Sequence, residues 1–390
     1  MLSVIRRARK SLGRFCAGLG ALVLSACVAT GPGTAPPGKG GSVQVALLVP
    51  SGSGQSQDEL FGANLENAAR LAMNDLSGVN IDLRVYKTGG SPAQAAALAK
   101  QAVDEGAQVI LGPFYSEEAN AAGVAVANSG VNVLAFSNNA AIAGGNVFVL
   151  GQTFESTARR LAGYAVRNGK SKVLIVHDRN VAGEVGKSAI ERGVASAGGS
   201  VVGVTSYEFS QNGIMQAAPG IVSTARSSGA TALFLTADTA GALPLLSQLL
   251  VDNGIDKATT QFIGLTRWDI PPATLALPGV QGGWFAMPDP GLQAQFRDRY
   301  AGAYGSQPVP VAGLAYDGIA AIGALANRAK GGAPLSKGDL TQSAGFAGVS
   351  GIFRLLPNGT NERGLAVATI RANQVVVVEA APRSFGGAGF

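Results

Sequence analysis

Between residues 43 and 265 the hydrophobic positions switch repeatedly from short apolar runs to three- and four-residue spacing and back. The first run, VQVALLVP at 43–50, is β-rich and ends at a proline, and the polar stretch SGSGQSQDEL after it leads into a helix. In that helix Phe61, Leu65, Ala69, Ala72, Met73 and Leu76 fall on one face, and Ser56 with Glu59 makes a candidate capping box. The alternation next predicts a strand over 81–87, then a helix over 92–105 with Ser91 as cap and Pro92 in first position. A strand over 108–111, a helix over 116–128 and a strand over 131–136 follow.

After VFVLGQT at 147–153 the alternation begins afresh. Helices over 155–168, 184–197, 214–227 and 240–252 interleave with strands over 172–177, 201–207, 231–235 and 260–265. Strands separated by single helices imply parallel sheets covered on both faces. Two such series, with about ten strands together, fit two lobes better than one sheet. The C-terminal part differs: helices near 291–304 and 311–329 precede GIFRLLPNGTNERGLAVATIRANQVVVVEAAP, which reads as strands joined by an Asn-Gly turn.

Residues 1–26 carry Arg6, Arg7, Arg9, Lys10 and Arg14 with no acid, followed by an apolar run over 15–24. This is a basic segment and a short hydrophobic segment, the pattern of a secretion signal. Ten apolar residues fall short of the roughly 20 that a membrane-spanning helix needs. The following Leu24-Ser25-Ala26-Cys27 resembles the bacterial lipobox, which implies that Cys27 is lipidated and begins the mature chain. Residues 28–42, rich in glycine and proline, then form a flexible linker. With the signal removed, the formal charge falls from +6 to 25 bases against 24 acids, so the basicity of the whole chain carries no nucleic-acid reading. The two cysteines, Cys16 and Cys27, both precede the folded part, which rules out a disulfide framework.

Catalytic and cofactor templates fail in turn. His177 is the single histidine, no G-x-S-x-G elbow is present, and histidine-rich metal sites are excluded. Gly186-Lys187-Ser188 looks like the end of a phosphate loop, but Val181 stands where its first glycine belongs. Gly52-Ser53-Gly54 begins a dinucleotide fingerprint whose third glycine position is Gln57. No cofactor, metal or catalytic residue is expected. What remains is geometric: loops at the carboxyl ends of parallel strands line ligand crevices, and here they are polar. In the first lobe they hold Ser51, Ser53, Tyr115, Ser116, Ser137 and Asn138; in the second, Asp178, Asp238, Arg267, Trp268 and Asp269. Each alone could be a capping or turn residue, and together they outline a cleft.

From residue 43 onward the chain resembles the type I periplasmic binding proteins of the leucine/isoleucine/valine-binding family, in VALLVPSGSG, GGSPAQAAALAKQAVDEGAQVILGPFYSEEA and GVNVLAFSNNAA. GGWFAMPDP, LAYDGIAA, GFAGVSGIFRLLPNGTNERGLAV and APRSF are similar to the subgroup called penicillin-binding protein activators. The resemblance implies two Rossmann-like lobes with parallel sheets flanked by helices and a hinged cleft. It divides the chain into 43–150 plus about 306–345 as lobe I, and 151–305 plus about 346–384 as lobe II with the hinge crossings. In amino-acid-binding members the loops matching Tyr115-Ser116 and Ser137 hold the substrate carboxylate. Their second lobe offers a tyrosine followed by glycine, where this chain has Val181-Ala182, and an acid for the ammonium, here Asp238 or Asp269.

The subgroup implies a non-catalytic lipoprotein that activates a penicillin-binding protein, a peptidoglycan synthase. The alternative is the receptor of an ABC importer, partnered by its permease and carrying an amino acid or similar small polar solute. Val28 after the lipidated cysteine, by the same resemblance, implies a periplasmic protein anchored to the outer membrane.

Overall fold

A computed structural model describes residues 42–328 and 335–386. The expected signal segment, Cys27 and the linker up to residue 41 lie outside these residues. Lobe I opens with β1 (Val43–Val49), α1 (Ser56–Asp75), β2 (Ile81–Lys87), α2 (Pro92–Asp104) and β3 (Val109–Leu111). It continues with α3 (Ser116–Ala125), β4 (Asn132–Ala135) and β5 (Val147–Val149). All neighbours in the sheet, ordered β2-β1-β3-β4-β5, are parallel; Val45 pairs with Leu83 on one side and Val109 on the other. Buried apolar runs such as Val45–Val49 are what a sheet covered on both faces requires.

Lobe II repeats the plan with α4 (Phe154–Arg167), β6 (Lys172–Asp178), α5 (Val181–Ser196), β7 (Ser200–Tyr207) and α6 (Gln211–Ser227). It goes on through β8 (Ala232–Leu235), α7 (Leu243–Asp252), β9 (Gln261–Gly264) and β10 (Trp284–Met287). The chain then returns to lobe I through α8 (Pro290–Tyr304) and α9 (Ala312–Arg328). A small antiparallel sheet of β11 (Phe346–Gly348), β12 (Gly351–Leu355) and β13 (Asn361–Arg363) follows. β14 (Ala366–Arg371) and β15 (Gln374–Glu379) finally join the edge of lobe II, giving the order β15-β14-β10-β9-β8-β6-β7. The two last strands are antiparallel and the rest parallel, so lobe II is a mixed sheet.

Local signals explain many boundaries. Ser91 caps α2 by accepting from the Gln94 amide, Asn180 caps α5 by accepting from Gly183, and Ser210 caps α6 the same way through Gly213. The last two caps put the starts of α5 and α6 three residues ahead of the spacing-based expectation. The capping box expected at Ser56 and Glu59 does not form: Gln55 occupies the cap, and Glu59 Oε1 accepts instead from Gly52 N at 2.6 Å. β10 carries no signal of its own in a four-residue Trp-Phe-Ala-Met stretch. The Asn-Gly turn is present, with Gly359 at φ 83° between β12 and β13. A second two-residue turn, Ala372-Asn373 with φ 49° and 61°, joins β14 to β15.

Packing moves two expected boundaries. α8, expected with lobe II, places Phe296 and Tyr300 in the lobe I core beside Leu65, Ala69, Ile319 and Ile322. β11 and β12 also contribute Phe346, Phe353 and Leu355 to that core. The chain therefore crosses between lobes near 150–153, 287–290 and 363–365. A buried polar knot ties these crossings. Arg363 donates to Leu150 O from Nε (2.8 Å) and Nη2 (2.5 Å) and pairs with Asp317 Oδ2 through Nη1 at 2.9 Å. Asp317 Oδ1 accepts from Val349 N at 2.8 Å, and Asn361 donates to both Val149 O and Gly151 O.

Candidate ligand cleft

The polar loops expected to line a cleft all lie at the carboxyl ends of strands, but their side chains divide by role. Ser51, directly after β1, is buried with its hydroxyl against the backbone of α1 at Gly62. Ser53 Oγ accepts from Gln55 N at 3.1 Å and Ser137 Oγ from Asn139 N at 3.1 Å, so both shape their own turns. Asn138 is exposed beside Ser137. Tyr115 holds the cap position of α3 and Ser116 is its first residue, donating its hydroxyl to Glu117 at 3.0 Å. A helix N-terminus with free amides stands there, as carboxylate binding requires.

In lobe II, Asp178 ends β6 and is buried, and Thr236 donates to its Oδ2 at 3.3 Å. Behind it, burial and Asp178 push the Tyr207 phenol far above its ordinary value. Asp238 is exposed after β8. Asp269 is held by Arg267, with Nε on Oδ1 at 2.7 Å and Nη2 on Oδ2. That fork neutralises Asp269, which leaves Asp238 as the acid of the two without an ion-pair partner among the described residues. Trp268, expected to line the cleft, does not: it is fully buried, in the apolar core with Val280 and Phe285. A Cβ on Gly264 would sit 2.2 Å from its ring, so the glycine provides the indole's seat and draws it under the loop, away from solvent. His177 is also buried, its Nδ1 3.0 Å from Asp178 O. Lys187 pairs with Glu184 on α5, one turn away.

Lobe I carries a second feature that no motif in the chain marks. At the carboxyl ends of β1, β2 and β3, a pocket of about 350 Å³ is lined by Gln55, Asp58, Gly89, Gly90, Tyr115 and Glu118, among others. Tyr115 donates its phenol to Asp58 Oδ1 at 2.5 Å; that bond, with burial, pushes the phenol up to about 12. Glu118 is completely buried and burial pushes its carboxyl above the ordinary value. The Thr88 hydroxyl and the Tyr115 backbone favour its charged form, but the hydroxyl directs its proton to Val49 O at 3.0 Å. Among the described residues neither Glu118 oxygen has a donor in hydrogen-bond geometry. The only trace in the sequence is an acid in the first turn of each helix, Asp58 in α1 and Glu118 in α3, which reads as ordinary dipole compensation.

The family model described as "Periplasmic binding protein" matches residues 42–374. Among solved structures, a Rhodospirillum rubrum protein provisionally assigned as a branched-chain amino acid ABC transporter is 19% identical, with a TM-score of 0.72 over 86% of this chain and 100% of its own. A branched-chain amino acid ABC transporter periplasmic ligand-binding protein from Burkholderia xenovorans is 18% identical, with a TM-score of 0.67 over 89% and 97%. An ABC transporter substrate-binding protein of Desulfitobacterium hafniense, in complex with Leu, is 17% identical, with a TM-score of 0.60 over 86% and 100%. No curated protein matches the chain. At these identities the structures establish the two-lobed type I fold, and the family model extends over nearly the whole folded region; the chain belongs to the periplasmic binding protein family.

Proposed function

We propose that this protein is a solute receptor of the periplasm, tethered through Cys27, that takes a small polar solute into its cleft and delivers it to an ABC permease. The family implies the periplasmic location, and the similar structures are ABC transporter proteins. The observation that carries the reading is the family match over 42–374 together with the start of α3 at Tyr115-Ser116. For an amino acid, Ser116 and the loop of Ser137 would take the carboxylate, and exposed Asp238 would take the ammonium. Binding, not catalysis, is the activity.

Thermal unfolding with a panel of amino acids and small organic acids tests it, since a ligand at 100 times its Kd adds about 2.7 kcal/mol. A panel without a single stabilising solute would count against the receptor. A second reading, activation of a penicillin-binding protein, is favoured by Val181, which is exposed where amino-acid binders present a tyrosine. Capture of a synthase in place of a permease from membranes by the tagged protein would select it. Substituting Cys27 by Ala should release the protein from membranes, and continued retention would refute the anchor.

A further inference from the structure

The lobe I pocket combines two features that do not belong together in a purely structural site. Asp58 is 4% exposed and Glu118 0%, yet among the described residues neither has an ion-pair partner, and neither has Glu117 on the same rim. Burying a carboxylate without a cation is costly, and natural folds pair or coordinate such groups. A helix dipole favours a first-turn acid by at most about 2 kcal/mol, and these two are withdrawn from water beside an open pocket. Asp58 accepts from a neutral phenol, which leaves its charge intact, and its Oδ2 lies 3.6 Å from where a Cβ on Gly90 would stand. The absence of a side chain at Gly90 therefore keeps the pocket beside Asp58 and the Tyr115 ring open.

We propose that this pocket binds an organic cation, an ammonium or guanidinium group set against Asp58 beside the Tyr115 ring, with the buried Glu118 carboxyl behind it. The proposal deepens the solute-receptor reading, on which it rests, by naming a cationic substrate class. The charge has no metal-like arrangement: among the described residues no three acidic, histidine or cysteine side chains are gathered to hold an ion. The ring adds cation–π attraction, which a compact hydrated metal ion would forgo.

Agmatine, which carries a guanidinium and an ammonium and no carboxylate, is the probe. It is compared with butylurea, an uncharged analogue that carries neither a guanidinium nor an ammonium, and with calcium chloride, by thermal unfolding and calorimetric titration of the whole protein. Agmatine should raise the unfolding midpoint and the other two should not, or only more weakly. Asp58→Asn, which can still accept the Tyr115 proton, should weaken agmatine binding by about tenfold or more. Glu118→Gln should weaken it as well, because a bound cation favours the charged form of Glu118, and should raise the midpoint of the unliganded protein at neutral pH, because it removes a buried carboxyl without an ion-pair partner among the described residues. A cap that is only structural predicts the opposite for Glu118→Gln, a lower midpoint with binding unchanged.

No agmatine shift at millimolar concentration, equal binding by Asp58→Asn, or a calcium shift exceeding that of agmatine each overturns the proposal. If neutral or anionic solutes stabilise the protein while agmatine does not, the receptor reading stands and the cationic class falls. If agmatine binds through Asp58 while a membrane pull-down yields a synthase and no permease, the pocket stands and the importer reading falls.

Discussion

Replacing Arg363 with Met tests whether the buried knot at the crossings holds the lobes together. Arg363 ends β13 and faces α9 and the crossing at Leu150; it is 5% exposed and Asp317 0%. The substitution removes two donors from Leu150 O and the single cation facing Asp317 Oδ2, and it takes the guanidinium off the Phe353 ring, 5.0 Å away. Removing one partner of such a pair leaves an uncompensated buried charge and costs about 3–5 kcal/mol. The exposed pair Arg179–Glu208 gives the internal scale, since Arg179→Met should cost no more than about 1 kcal/mol. Adding Asp317→Asn to Arg363→Met should recover part of the loss: the charge disappears and the amide oxygen can still accept from Val349 N.

Urea unfolding followed by two signals reads this out. Both tryptophans, Trp268 and Trp284, lie in lobe II, so fluorescence reports that lobe while far-ultraviolet circular dichroism reports both. Coincident transitions in the wild type that separate in Arg363→Met would show the knot coupling the lobes. A loss below about 1 kcal/mol, comparable with the Arg179 variant, would refute the reasoning.

Glu118, with its carboxyl held above the ordinary value, opposes folding once it is charged, so its penalty is absent below the unfolded pKa and complete above the folded one. The stability advantage of Glu118→Gln over wild type should therefore shrink as pH falls from 7 toward about 4.3, measured by urea midpoints, and a constant difference would contradict it. Gly359→Ala places a Cβ 2.3 Å from Gly144 N and 2.4 Å from Val147 O at φ 83°, and it should cost more than about 1 kcal/mol in the same assay. Gly264→Ala drives a methyl to 2.2 Å from Trp268, and overpacking of about 1–3 kcal/mol should come with red-shifted tryptophan emission. Ser116→Ala should weaken a carboxylate-bearing solute by about 1.5–3 kcal/mol if its hydroxyl donates to the anion, as titration would show.

Much of the architecture was written locally in the chain. The period of the apolar positions decides between strand and helix, Ser91 and Pro92 start α2, and Asn358-Gly359 closes a hairpin whatever surrounds it. The repetition of β and α then implies parallel sheets and two lobes, because single-helix crossovers leave no other economical arrangement. The candidate site was less legible. That Arg267 clamps Asp269, that Trp268 turns inward onto Gly264, and that Ser53 and Ser137 serve their own turns depend on side-chain directions that spacing does not carry. The acidic pocket joins Asp58 to Tyr115 across 57 residues, and Arg363 reaches Leu150 across 213. Periodicity is a property of neighbouring residues and determined the elements, whereas charge pairing and burial depend on distance in space. Only the tertiary packing decided which polar groups found partners, which lobe α8 joined, and which carboxylates were left buried beside an open pocket.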